Sequence, residues 1–194
     1  DVRINVVNKT GGVAGSIGMS SVLRKRADGY NLVGLSSSNV VAAVNGGWKE
    51  KFDVWSPFIV GSSPDVVSVP YDSPYRTLDD LITASKTKSI KAAAGGVGGI
   101  HHIYLLELQK AAGVDFKYVP YPGSAPSQTA AITKEVDIVI TSMAEQAALL
   151  RGKKLRALAM LHPDDYTLEN VGLITSAFNV YPSLAKRLPL SQAI

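Results

Sequence analysis

The stretch "SIKAAAGGVGGIHHIYLLELQKAAG", Ser89–Gly113, decides the fold. Its first six residues read as a short apolar strand. Gly95, Gly96, Gly98 and Gly99 then make a loop. After the loop, Ile100, Tyr104, Leu105, Leu108 and Ala112 recur at helical spacing and predict a buried stripe. Gly113 stops the helix. The same strand–loop–helix unit recurs downstream. The strand "DFKYVPY" (115–121) leads through "PGSAPS" to a helix ending near Lys134. "EVDIVITS" (135–142) leads to a helix over Met143–Arg151, stopped by Gly152, and "KLRALAM" (154–160) is a last strand. Strands alternating with helices in this way predict a doubly wound α/β fold, a parallel sheet with helices on both faces.

Upstream, "VRINVVN" (Val2–Asn8) alternates like a strand, and a glycine loop opens a helix from Gly15 to Ala27. Tyr30–Gly34 predicts a short strand ending in three serines and Asn39. Phe58–Gly61 and Val66–Val69 predict two more. Thr77 stands as an N-cap with Asp80 three residues on, which starts a helix through "LDDLITASK". The tail after Met160 breaks the rhythm and reads as loops with one short helix. Both ends look cut, so the chain is expected to be part of a longer protein.

Composition narrows the function. Apolar residues make up 46% of the 194, enough for a core. No run approaches the roughly 18–20 apolar residues of a membrane span. The absence of cysteine excludes disulfides, thiolate zinc sites and cysteine nucleophiles. Twenty Lys and Arg against 16 Asp and Glu give a net charge of +4. The basic residues are dispersed and lack interleaved aromatics, which argues against nucleic acid and suits the collection of small anions.

The glycine loops fail the tests for known chemistry. From Gly96 a dinucleotide fingerprint needs a third glycine where His101 stands, and no acid follows at the end of the next strand. No loop has the lysine and hydroxyl of a phosphate-binding P-loop, and no G-x-S-x-G elbow occurs. His101 and His102 point about 100° apart on a helix and cannot chelate one metal as an i, i+4 pair would. One of them packs or bonds the loop and the other meets solvent or ligand. No cofactor, metal or catalytic set is expected. What remains is a strand end, a flexible loop and a helix N-terminus, whose unpaired N–H groups suit an anion. A single loop is explained equally well by tight turns and close packing. Several strand ends, however, carry the same kind of loop: "NKTGGVAGS", "GLSSSN", "AGGVGG" and "YPGSAPS". Asp137 in the apolar "VDIVI" is either a buried anchor for a neighbouring loop or a strand-edge residue bonded to local backbone.

"VVNKTGGVAGSIG" with "ADGYNLVG", then "VGSSPDVVSVPYDSPYRTLDDLI", then "AAGGVGGIHHIYLLELQKAAGVDFKYVPYPGSAPSQTAAITKEVDIVITS" and "GKKLRALAM" resemble, in that order, the signatures of Bug-type receptors. These are the extracytoplasmic solute-binding proteins of the tripartite tricarboxylate transporter family. The resemblance runs collinearly from Val2 to Met160. It implies the type II periplasmic-binding-protein fold, two doubly wound α/β domains with a ligand cleft between them. The first domain would include residues 1–86, the second 87–175, and 176–194 would begin a return to the first. It further implies a periplasmic, monomeric, non-enzymatic receptor. Such a receptor takes a small carboxylate or amino-acid ligand and hands it to the permease subunits of a membrane transporter. An effector-binding domain of a transcription regulator is the alternative with the same fold. Matched by motif, the ligand-binding residues would be Ser37, Ser38, Gly96, Val97, Gly98, Gly99, His101, Tyr121, Gly123 and Ser142.

Overall fold

The computed structural model describes residues 3–9 and 11–188. Two compact units divide them: residues 1–59 with 98–100, and residues 60–97 with 101–194.

The larger unit is built on a five-stranded sheet. Its strands are β1 (Asp65–Pro70), β2 (Lys91–Ala93), β3 (Lys117–Val119), β4 (Ile138–Ser142) and β5 (Leu155–Met160), in the order β3-β2-β4-β1-β5. Helices α4 (Ile100–Ala112), α5 (Ser124–Ile132) and α6 (Met143–Arg151) connect β2 to β3, β3 to β4 and β4 to β5. The alternating unit read from Ser89 onward is therefore present, and α4 and α6 have the expected limits. β2 pairs parallel to both β3 and β4. β1 differs: it runs antiparallel to β4 on one side and to β5 on the other. The sheet is thus mixed. All six residues of β1 are buried, which suits a central strand covered on both faces. This strand lies within residues 1–86 and is an interior strand of the larger unit's sheet.

Helix α3 (Leu78–Ser85) starts at the expected cap. The Thr77 hydroxyl accepts from the Asp80 amide at 3.1 Å, and Asp80 accepts from the Thr77 amide at 2.9 Å. These bonds hold the Asp80 carboxyl below the ordinary carboxylate range, with the Arg76 amide contributing most. Under the sheet, Val66, Ala93, Val139, Leu155 and Met160 pack with Ala130, Ala131 and Leu150 of the helices. Gln146 is fully buried and ties this core together. Its amide donates to the Val66 carbonyl and to Thr141, whose hydroxyl also accepts from Gln128. The tail is more regular than its sequence suggests. It forms a hairpin of β6 (Tyr166–Leu168) and β7 (Gly172–Ile174) and two short helices, α7 (Ala177–Val180) and α8 (Leu184–Arg187).

The smaller unit holds α1 (Ser16–Leu23), shorter than expected, α2 (Ser37–Val44) and two single 3-10 turns. Among the described residues its buried apolar side chains are Met19, Ala42, Trp48 and Ile100, and Trp48 stacks on Trp55 at 6.3 Å. The strands expected over 2–8, 30–34 and 58–61 are not formed among the described residues; Val2 lies outside them. Alternation is a local signal, but a strand exists only within a ladder. These segments have no ladder partner among the described residues, and Ile4, Leu32 and Ile59 stay more than two-thirds exposed. No helix among the described residues is long and apolar enough to cross a membrane.

Leu105 is fully buried on the stripe of α4. Leu105→Ala should cost about 2–5 kcal/mol by transfer loss and cavity formation. Thr77→Ala should cost only about 1 kcal/mol, the usual value of a cap. Urea unfolding of both variants against wild type checks the ranking.

Candidate functional site

Because β3, β2 and β4 are parallel neighbours, their carboxyl ends lie along one sheet edge. The N-termini of α5, α4 and α6 begin at that edge. The three helix starts are not equivalent. That of α6 is closed by protein groups: the Ser142 hydroxyl accepts from the Glu145 amide, the Pro64 carbonyl from Met143 at 2.8 Å, and Ser63 from Ala144 at 2.8 Å. The amide and hydroxyl of Ser142 both donate to Glu145 Oε2. Ser142 therefore serves as a cap. At α5 the cap residue is Gly123, with no side-chain cap, and Pro126 has no N–H to offer. At α4 the preceding residues are Gly95–Gly99.

The glycine loop is tied at its first residue. The Gly95 amide donates to Ser127 Oγ at 3.3 Å. The Gly95 carbonyl accepts from the Tyr118 hydroxyl at 2.5 Å and from the Tyr121 amide at 3.3 Å. Gly95 has φ of 67° and Gly98 has φ of 73°, both in the left-handed region that favours glycine. A Cβ on Gly96 would stand 4.0 Å from the Tyr121 carbonyl oxygen, so the β2–α4 and β3–α5 loops adjoin. Gly96 and Val97 are exposed, whereas Gly98 and Gly99 are half-buried. The arrangement offers backbone N–H groups and the positive end of a helix dipole to an anion.

His101, in the first turn of α4, is largely buried behind this loop. Its Nδ1 lies 2.6 Å from Oδ2 of Asp65, the first residue of β1, and its Nε2 lies 4.0 Å from Glu145 Oε2. Burial disfavours the charged imidazole. The hydrogen bond to Asp65 and that residue's charge outweigh it, with help from Glu145, and push the His101 pKa up. Burial pushes the Asp65 carboxyl up, and His101 offsets only part of this. His102 points elsewhere and stacks on Tyr118 with centroids 4.1 Å apart; burial lowers its pKa. One histidine thus bonds behind the loop and the other packs.

The remaining expected site residues separate. Gly96, Val97, His101, Tyr121, Gly123 and Ser142 belong to the larger unit, on the strand-end edge. The Tyr121 ring packs against the core cluster, so its contribution to the loop is its amide. Gly98 and Gly99 group with the smaller unit. Ser37 and Ser38 also lie there, as the first residues of α2. Ser36 caps that helix with Asn39.

The family model for the tripartite tricarboxylate transporter family receptor matches residues 3–171. The chain belongs to this receptor family. Protein BugT of Bordetella pertussis is 29% identical over 170 residues, which cover 84% of this chain and 52% of BugT. The chain spans about half the length of the curated relatives it matches. The structure of a Rhodopseudomonas palustris protein, Rpa4515 with adipate, superposes with a TM-score of 0.72 at 23% identity, covering 91% of this chain and 61% of that one. The periplasmic binding protein BugD superposes at 0.68 and 22% identity, covering 96% and 71%. These likenesses show the type II periplasmic-binding fold. The regulator alternative finds no support among these relatives.

Asp65, Tyr118, Ser127 and Glu145 support the site and were not singled out from sequence. Asp65 offered a signal, an acid opening an apolar strand, but its partner lies 36 residues away. Asp137 is the second such acid. It accepts from the Lys91 amide at 2.7 Å, bonding the adjacent strand's backbone.

Two substitutions test the loop's tether. Tyr118→Phe removes one bond to the Gly95 carbonyl and should cost about 1 kcal/mol. Gly95→Ala places a Cβ at positive φ, 3.6 Å from the His101 ring, and should cost roughly 1–2 kcal/mol. Chemical denaturation of each variant reads the loss.

Proposed function

We propose that this chain belongs to a periplasmic receptor that captures a small carboxylate or amino acid and delivers it to the permease of a tripartite tricarboxylate-type transporter. The receptor binds without turning its solute over. One observation carries the reading. Of three helix starts on one sheet edge, α6 is closed by protein groups, while α4 is approached through a glycine loop that adjoins the loop to α5. A solute carboxylate placed there accepts backbone N–H bonds, strengthened by the dipole of α4. Gly96–Gly99, His101 and the Tyr121–Gly123 segment form the binding set. Family membership and the fold of a neighbour with adipate favour the same chemistry.

A ligand that binds only the native state raises the melting temperature by mass action. With the full-length protein, a panel of mono-, di- and tricarboxylates including adipate should raise Tm, whereas neutral sugars should not. No shift across the panel, with a shift from a sugar or a cation, refutes the carboxylate assignment. Gly98→Val should weaken the binding by about 10- to 150-fold, the loss of one charge-assisted hydrogen bond of about 1.5–3 kcal/mol. Calorimetry measures the affinity, and circular dichroism verifies that the variant is folded. An unchanged affinity in a folded Gly98→Val protein would assign these glycines to packing alone.

A further inference from the structure

The Asp65–His101–Glu145 group is the densest cluster of titratable side chains behind the glycine loop, and nothing in the capture scheme above requires Asp65. A buried carboxylate costs several kcal/mol unless it is paired. Asp65 is only 3% exposed, and among the described residues the one side chain bonded to it is His101. When the imidazole is charged both ring nitrogens carry a hydrogen, so Asp65 accepts from Nδ1 and Nε2–H remains to donate. This fixes the ring. Its Cδ2, the carbon bonded to Nε2, is the atom nearest a Cβ placed on Gly95, at 3.6 Å. Nε2 itself lies 4.0 Å from Glu145 Oε2, beyond hydrogen-bond reach, and Glu145 is anchored where it stands by Ser142.

We propose that Asp65 is a positioning residue for solute capture, holding His101 so that its Nε2–H is presented beside the glycine loop as a charged donor to the solute carboxylate. The inference rests on the carboxylate-capture reading. The second donor would complement the backbone N–H groups: they bind an anion at any pH, whereas an imidazolium binds it only while protonated.

The groups that face His101 agree on the sign. Asp65 from β1, through its hydrogen bond and its charge, and Glu145 from α6 both favour the imidazolium against the burial that opposes it. Tyr104, on the same helix, is pushed up to about 12 by burial and by Asp65, and stays neutral. The loop side contributes Gly95. With the His101 pKa raised, the donor is present below the ordinary imidazole range and lost as pH rises through the raised value. Capture should follow it, strongest in mild acid and weaker in alkali.

The test is a histidine NMR titration between about pH 5 and 9, with and without adipate and acetate. The His101 resonance is assigned by its loss in His101→Gln. In wild type, the His101 midpoint should lie above that of His102, and saturating adipate should move the resonance and raise the midpoint. Asp65→Asn keeps the shape and an acceptor but removes the charge. It should lower the midpoint by about one pH unit or more and shift the loss of adipate binding to correspondingly lower pH. Glu145→Gln keeps the capping box and should lower the midpoint by less. If Asp65→Asn does not fold, the Glu145→Gln midpoint and the pH profile of wild-type adipate affinity decide. An equal midpoint in wild type and in the folded charge-removed variant overturns the proposal, as does adipate affinity constant across the range. A carboxylate that raises Tm while leaving the His101 resonance unmoved overturns this inference and leaves the capture reading intact. A panel in which nothing raises Tm refutes the capture reading and this inference together.

Discussion

The double ladder of β1 is the constraint on which the larger unit depends. One six-residue strand pairs with β4 through Asp65–Ser68 and with β5 through Val66–Pro70. Without it the parallel strands β3-β2-β4 and the strand β5 would be separate pieces. Its first residue also supplies the carboxylate that holds His101, so one insertion both closes the sheet and furnishes the site. The backbone does the same work around it. The Asp65 carbonyl accepts from Leu161 and the Pro64 carbonyl from Met143, which fixes the strand's approach to the edge where α6 begins.

How much was legible in the sequence follows from how local each signal is. The strand–loop–helix repeat after Ser89 is written in short-range periodicity, and two of its helices end where glycine and charge patterns place them. The cap of α3 is equally local, since Thr77 and Asp80 are three residues apart. The position and direction of β1 are not local. "DVVSVP" announces a buried strand, but nothing in it says that it runs against its neighbours. In the smaller unit the local signal misleads. "RINVV" and "NLV" alternate well, yet alternation supplies only one side of a ladder.

The site divides along the same line. The glycine loops and His101 were visible as residue types that anions favour at helix starts. That the start of α6 is closed was not visible, because the groups that close it come from Ser63 and Pro64, about 80 residues upstream. "VITS" and "AGGVGG" look comparable as strings. In the structure Ser142 is consumed by Glu145, while Gly95 is tied by Ser127 and Tyr118.

The central antiparallel strand also sets an order of assembly. β1 leaves the ribosome before any partner it needs, and those partners follow roughly 75 and 90 residues later in the chain. Until β5 has been synthesised, a valine-rich strand with two unpaired edges must wait, at the cost of a long loop closure. Such a segment is the point at which a nascent chain is most exposed to pairing with another copy of itself. Ser68, buried without a side-chain partner in the middle of that strand, interrupts the run of valines. It gives up some core packing in a segment that must remain soluble until its neighbours arrive.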